Sequence, residues 1–197
     1  PGYSIAGGAD AALFTIDPAT GVLSFVVPPD YENPADANRD NIYDVIVEAS
    51  DGTNTDQQTI QVTVGNTNDS APLITSNGGG ATAAISLAEN NLGVTTVTAT
   101  DPDGPTALSY RIAGGADAAL FQIDANGVLT FRSNPDFEDP LDADRNNIYD
   151  VVIEAFDGVN ATAQALTVTV TDVNEVGRII TGTALNDRIS PTASTAS

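Results

Sequence analysis

Cysteine, methionine, tryptophan, histidine and lysine are all absent from these 197 residues. Without cysteine no disulfide can staple the fold, and thiolate metal sites and cysteine nucleophiles are excluded. Without histidine, zinc chemistry and the serine–histidine–aspartate arrangement lose their usual parts. The six basic residues, all arginine, face 27 acidic ones, for a formal net charge of −21. A surface of that sign repels nucleic acid and anionic membranes. No apolar run approaches the roughly 18 residues that a membrane span needs, so direct insertion is not expected. The lack of methionine even at position 1 leads us to expect a piece of a longer chain, with any signal peptide out of view.

What is present is a hydrophobic fraction of 41%, enough for cores of ordinary size. The excess of carboxylates favours cations, and oxygen-rich clusters suit hard ones such as calcium. Solubility in salt is served by the same composition, so charge alone does not decide between the two.

The chain repeats itself. YSIAGGADAALFTID from Tyr3 returns as YRIAGGADAALFQID from Tyr110, and DYENPADANRDNIYDV from Asp30 returns as DFEDPLDADRNNIYDV from Asp136. A period of about one hundred residues suits a row of independent domains better than a solenoid. The stretch from Leu73 to Ser109, with ISLAEN and VTTVTATDPD, has no counterpart before Tyr3. We therefore expect three segments: 1–72 as a partial repeat of later strands plus linker, 73–176 as a complete repeat, and 177–197 as a disordered tail.

Apolar residues recur with period two, punctuated by Gly, Pro, Asn and Asp. Tyr43, Val45, Val47 and Ala49 form one face, matched by Tyr149, Val151, Ile153 and Ala155. Ile60, Val62 and Val64, and later Leu166, Val168 and Val170, alternate with polar residues as half-buried strands do. No stretch carries a helical stripe; Gly114 to Phe121 can hold a helical turn at most. The prediction is all-β: Greek-key, immunoglobulin-like sandwiches in tandem. Asn77-Gly78-Gly79-Gly80 reads as a flexible kink or an ordinary surface loop.

Acidic motifs gather at predicted strand ends: Asp30-Tyr31-Glu32, Asn68-Asp69-Ser70, Glu89-Asn90, Asp101-Pro102-Asp103 and Asp157-Gly158. Together they resemble the cadherin repeat, with its early Glu, its DxD and DxE pairs, its AxD and its xNDNAP linker, over nearly the whole chain to about residue 175. The resemblance implies a cadherin-like fold and Ca2+ bound at the joint between repeats. It assigns to the joint at Asn66–Pro72 the ligands Asp30, Glu32, Asn68, Asp69 and the carbonyl of Ser70, with Asp101, Asp103 and Asp157. It assigns Glu89, Asp136 and Glu138, with Asp172, Asn174 and Glu175, to the next joint. Ser70 stands where the family has Asn, and the second linker lacks the Ala-Pro ending. Since the first repeat shows no early Glu, the ion held by Asn68, Asp101, Asp103 and Asp157 is expected to be the best preserved.

Asp36, Asn38 and Asp40, repeated as Asp142, Asp144 and Asn146, place oxygens at positions 1, 3 and 5 as the first half of an EF-hand loop does. Position 6 is Asn rather than Gly, and a turn in which Asn and Asp bond their own backbone explains the same letters. The insertion is similar to that of cadherin-like repeats in large secreted bacterial adhesins. In the tail, Ile180 to Asp187 resembles the opening of the RTX calcium-binding nonapeptide array, which implies secretion to the cell exterior.

The leading expectation is thus a non-enzymatic, calcium-rigidified adhesion module of an extracellular or cell-surface bacterial protein. Its partners would be other cadherin-like repeats, surface proteins or polysaccharides. The alternative is a carbohydrate-binding accessory module of a secreted polysaccharide-acting protein, which the 6% aromatic content argues against. Tyr31, Phe137, Tyr43 and Tyr149 are expected in core roles. An enzyme would need paired carboxylates such as Glu32 with Asp69, and nothing in their spacing favours catalysis over ion binding.

Overall fold

In the computed structural model, which describes residues 1–104 and 107–174, the chain divides into two compact units, 1–69 and 70 onward. The division falls inside the Asn66–Pro72 stretch. Ser70 belongs to the second unit because its N–H donates to the Asp103 carboxylate at 2.9 Å and its carbonyl accepts from the Asn160 amide at 3.2 Å.

The first unit holds β1 (Gly2–Gly7), β2 (Phe14–Ile16), β3 (Leu23–Phe25), β4 (Ile42–Ser50) and β5 (Thr55–Thr63). Antiparallel pairing gives a sheet in the order β1-β4-β5 and a separate β2-β3 pair. Because side chains alternate across a strand, Tyr43 and Val45 turn inward together and meet Phe14. Those three are the unit's fully buried apolar residues. Phe25 stacks on Phe14 at 4.5 Å, and Tyr43 stands edge-on to both rings, the arrangement that ring quadrupoles favour.

The second unit adds β6 (Leu73–Ile74), β7 (Thr82–Ala88), β8 (Gly93–Thr96) and β9 (Ala99–Thr100) before its own copy of the same five strands. The copy comprises β10 (Ser109–Gly114), β11 (Phe121–Ile123), β12 (Val128–Phe131), β13 (Ile148–Phe156) and β14 (Ala161–Thr171). One sheet runs β10-β13-β14-β7, with β7 parallel to β14; a second runs β11-β12-β8, and β6 pairs with β9. Here the buried core extends over Ile74, Val97, Phe121, Leu129, Phe131 and the inward residues of β13 and β14. The aromatic cluster recurs as Phe121, Phe131 and Tyr149 with the same 4.5 Å stack. Tyr43 and Tyr149 are core residues as expected, but Tyr31 is 38% exposed. The single helical turn expected in the repeated string appears as the 3-10 turns Ala11–Leu13 and Ala118–Leu120.

The repeated Gly-Gly-Ala-Asp has a structural explanation. Gly115 has φ +108 and lies so close to β13 that a Cβ would fall 2.3 Å from the Asp150 carbonyl oxygen. Two residues on, the buried Asp117 carboxylate accepts the Ala143 N–H at 2.7 Å and the Asp150 N–H at 2.8 Å. Gly8 and Asp10 do the same in the first unit, where Asp10 takes Ala37 and Asp44. The motif is a clamp between the first strand of each set and the loop before the long strand.

Asn77 is not in a free kink. Its amide donates to Gln164 and its oxygen accepts from the Thr95 hydroxyl, while Gln164, fully buried, donates to the Gly80 carbonyl. A buried amide needs such partners, and nothing in the strand pattern marks Gln164 as buried.

Gly115→Ala is expected to destabilise the second unit by about 1–3 kcal/mol, through positive-φ strain and backbone collision, in denaturant unfolding of the full chain. Gly78→Ala, where a Cβ would meet nothing within 4 Å, should lose less. Asp117→Ala strands two backbone donors and is expected to cost about 2–4 kcal/mol. Asp117→Asn, which keeps one acceptor oxygen, should lie between it and the parent.

Candidate metal centre

Asp101 and Asp103 sit in the turn after β9, and Asp157 in the turn after β13. The local sequences make tight Asx turns: Asp101 Oδ1 accepts the Asp103 N–H at 3.0 Å, and Asp157 Oδ1 accepts those of Val159 and Asn160 at 2.7 and 2.6 Å. Gly104 and Gly158 supply the positive φ that closes each turn. One oxygen of each of the three carboxylates then comes within 4.8 Å of the others. Asp157 is 5% exposed, and Asp101 Oδ2 is buried with no hydrogen-bond partner. Three carboxylates gathered this closely repel one another, and the buried Asp101 Oδ2 lacks a donor; a hard divalent ion would relieve both.

At the far end of β7, Glu89 is 4% exposed. Its two oxygens accept the N–H groups of Phe137 and Val173, each at 2.8 Å. Asp136 turns one oxygen to the N–H groups of Glu138 and Asp139. Glu89, Asp136 and Glu138 bring carboxylate oxygens within 4.8 Å of one another. Burial, and next the charge of Glu89, raise the Glu138 pKa above the usual carboxylate value, with Asp172 and Asp136 pushing the same way. Asp172 thus lies near enough to act on this group. Asn174 is exposed; Glu175 and the tail with its RTX-like stretch lie outside the described residues.

In the first unit, Asp30 Oδ1 accepts the N–H groups of Glu32 and Asn33 at 3.0 and 3.1 Å, the same turn that Asp136 makes. Asp69 receives a hydrogen bond from the Thr67 hydroxyl at 3.1 Å, and Asn68 is half-buried. Asp51, the counterpart of Asp157, is exposed, and the Asn54 and Thr53 N–H groups lower its pKa.

The EF-hand-like loops are backbone turns. Asp36 and Asp142, each 3% exposed, accept two N–H groups apiece, from Asp40 and Asn41 and from Asn146 and Asn147. Asn38 donates to Asp40, and Asn146 to Asp144. Arg39, Asn41, Arg145 and Asn147 adopt the positive φ these turns require. Asp36, Asp40, Asp142 and Asp144 belong to none of the three-carboxylate groups among the described residues. Burial, and then Asp142, raise the Asp144 pKa. The residues that the sequence reading passed over are Asp10 and Asp117, which hold these loops from below. Their signal was present in the repetition of Gly-Gly-Ala-Asp at nearly the same distance before each loop, 27 residues from Asp10 to its partner Ala37 and 26 from Asp117 to Ala143.

A family model described as the cadherin domain matches residues 83–172. Human protocadherin gamma-A5 is 31% identical over 172 residues, which cover 81% of this chain and 17% of that protein. Mouse cadherin-related family member 2 is 27% identical over 183 residues, covering 89% of this chain and 14% of that protein. The chain therefore spans under a fifth of the length of these relatives. Halomucin of the archaeon Haloquadratum walsbyi is 54% identical over 35 residues. Among solved structures, the EC1-2 crystal structure of human protocadherin-24 superposes with a TM-score of 0.66 at 23% identity, covering 87% of this chain and 82% of that one. The EC1-4 structure of Drosophila N-cadherin gives 0.65 at 19%, covering 87% and 42%. Residues 83–172 thus carry the signature of the cadherin domain, and the chain has the immunoglobulin-like fold of cadherin extracellular domains.

Proposed function

We propose that this chain is a calcium-binding, non-enzymatic adhesion module, with Ca2+ held by Asp101, Asp103 and Asp157 and a second site at Glu89, Asp136 and Glu138, completed by Asp172 and Asn174. The observation that carries the reading is the first carboxylate group with its orphaned buried oxygen on Asp101. An all-oxygen, carboxylate-rich donor set fits calcium better than a softer metal. Bound there, the ion supplies positive charge that cancels repulsion and fixes the turns after β9 and β13. On sequence grounds the same ions take Asp30, Glu32, Asn68, Asp69 and the Ser70 carbonyl and stiffen the 66–72 linker. Other repeats of this kind, or surface proteins and polysaccharides, are the partners, and a large bacterial secreted or surface protein is the parent. The acidic insertions and the animal and archaeal relatives support an extracellular setting.

Calorimetric titration of the full chain should show Ca2+ binding at about 10⁻⁴–10⁻³ M, as extracellular modules do. Asp101→Asn, which retains the turn acceptor but removes charge, should weaken the site about tenfold or more, the scale of one lost charge in such a site. Equal binding by the parent and the Asp101→Asn and Asp157→Asn variants would remove these residues from the assignment.

Proton binding tests the second site. Glu138 has a folded pKa above its unfolded value, so in the absence of calcium its contribution to stability is complete below about pH 4.5 and fades as pH rises through the raised value. Calcium competes with that proton. Its affinity at Glu89, Asp136 and Glu138 should therefore fall as pH drops below the raised pKa, and Glu138→Gln should flatten the apo stability profile over the same window. A profile unchanged by Glu138→Gln would count against the site.

A further inference from the structure

Between the turn that carries Asp136 and Glu138 and the long strand β13 lies the acidic insertion Asp142 to Asn147. It rests on buried carboxylates: Asp117 accepts the Ala143 N–H, and Asp142 those of Asn146 and Asn147. Asn147, at its end, has φ +65 and ties three segments together. Its N–H donates to Asp142 Oδ1 at 3.3 Å, its carbonyl accepts the Val170 N–H at 2.9 Å, and its side-chain amide donates to the Phe137 carbonyl at 3.0 Å. Asn41 repeats these contacts in the first unit, with Asp36, Val64 and the Tyr31 carbonyl.

Phe137 is the residue between Asp136 and Glu138. Its carbonyl and the Glu138 N–H belong to one planar peptide group, and that N–H donates to Asp136 Oδ1 at 3.0 Å. The Phe137 N–H, on the other side, donates to Glu89 Oε2 at 2.8 Å. Glu89 closes the circuit to the end of β14, its N–H donating to the Thr171 carbonyl and its Oε1 accepting from Val173. A ring of hydrogen bonds through Asn147, Phe137, Glu89 and the end of β14 therefore joins the carboxylates that lie within 4.8 Å of one another.

The Asn147 side chain does more than permit a turn. Glycine reaches φ near +65 more readily than asparagine, and Asn147 Oδ1 is buried without a hydrogen-bond partner, as is Asn41 Oδ1. An unmet buried acceptor costs stability. What offsets that cost is the bond to the Phe137 carbonyl, which fixes the peptide plane between Asp136 and Glu138. We infer that the Asp142–Asn147 insertion is a strut that presets the Glu89, Asp136 and Glu138 group for calcium, with Asn147 as its positioning residue. The inference rests on reading that group as a calcium site. Asn147 acts through the Phe137 carbonyl: a turn already held in place leaves less to be ordered when the ion binds.

The test titrates Ca2+ into the full chain and follows two backbone amides, Glu138 for this group and Val159 for Asp101, Asp103 and Asp157. Asn147→Gly keeps the positive φ and removes the amide. It is expected to weaken calcium affinity at Glu138 about tenfold, the scale of a lost outer-shell partner, with Val159 unchanged. In the calcium-free protein, exchange of the Glu138 amide should quicken about tenfold. Asn41→Gly, the same change in the first unit, should alter neither amide. Val151→Ala, a core truncation, should lower the stability of the second unit and leave affinity at Glu138 as it was. If the glycine variant does not fold, Asn147→Asp keeps the side-chain shape and loses the donor, and unchanged Glu138 exchange there would overturn the inference. Parent-like affinity in Asn147→Gly, or an equal loss in Val151→Ala, would overturn the inference alone. A parent chain with no calcium response at Glu138 would overturn the reading of the site, and the inference with it.

Discussion

Carboxylates outnumber cations so heavily in this chain that backbone N–H groups are the main hydrogen-bond partners of the acidic side chains in its turns. Several acidic residues point oxygens at main-chain amides: Asp117 at Ala143 and Asp150, Asp142 at Asn146 and Asn147, Glu89 at Phe137 and Val173. Charge-assisted bonds of this kind are stronger than neutral ones, and they fasten turns to strands. They also dictate where negative charge accumulates. A carboxylate held by one oxygen in a turn presents its other oxygen to whatever lies beside it, and two such turns on neighbouring strand ends place Asp101, Asp103 and Asp157 together.

The clamps and the metal centre are therefore one device used twice. Where both oxygens meet amides and no carboxylate group gathers alongside, as in Asp10, Asp36 and Asp117, the role is structural; Glu89, whose oxygens also both meet amides, differs in having Asp136 and Glu138 beside it. Where one oxygen is left over, the group can hold a cation. This distinction explains why the Asp-Ala-Asn and Asp-Ala-Asp loops, so similar in letters to a calcium loop, act as turns in the fold. It explains too why Asp51 and Asp157, identical in their turns, differ in surroundings: only Asp157 has two further carboxylates beside it.

The internal duplication makes the two units an experiment on context. Nearly the same residues build β1–β5 and β10–β14, down to the bulges after Ile5 and Ile112 and the spacing of the aromatic rings. What differs is cover. With β7 and β8 alongside, the inward residues of β13 and β14 are buried, whereas among the described residues the matching positions of β4 and β5 include half-buried ones such as Val47, Ile60 and Val62. Burial is thus a property of the partner as much as of the strand.

By itself the sequence determined the strand faces, because a period of two leaves one choice of inward residue, and Tyr43, Val45, Tyr149 and Val151 are buried as that period requires. Repetition likewise pointed to a tandem organisation, and the resemblance of the acidic motifs to the cadherin repeat pointed to Asp101, Asp103, Asp157, Glu89, Asp136 and Glu138, which fall into two three-carboxylate groups. Tertiary structure decided how the distant clamps are used, since Asp10 and Asp117 meet amides 26 to 34 positions away. It also decided that Gln164 is buried and Gln58 exposed, because the two glutamines differ only in whether another strand lies alongside.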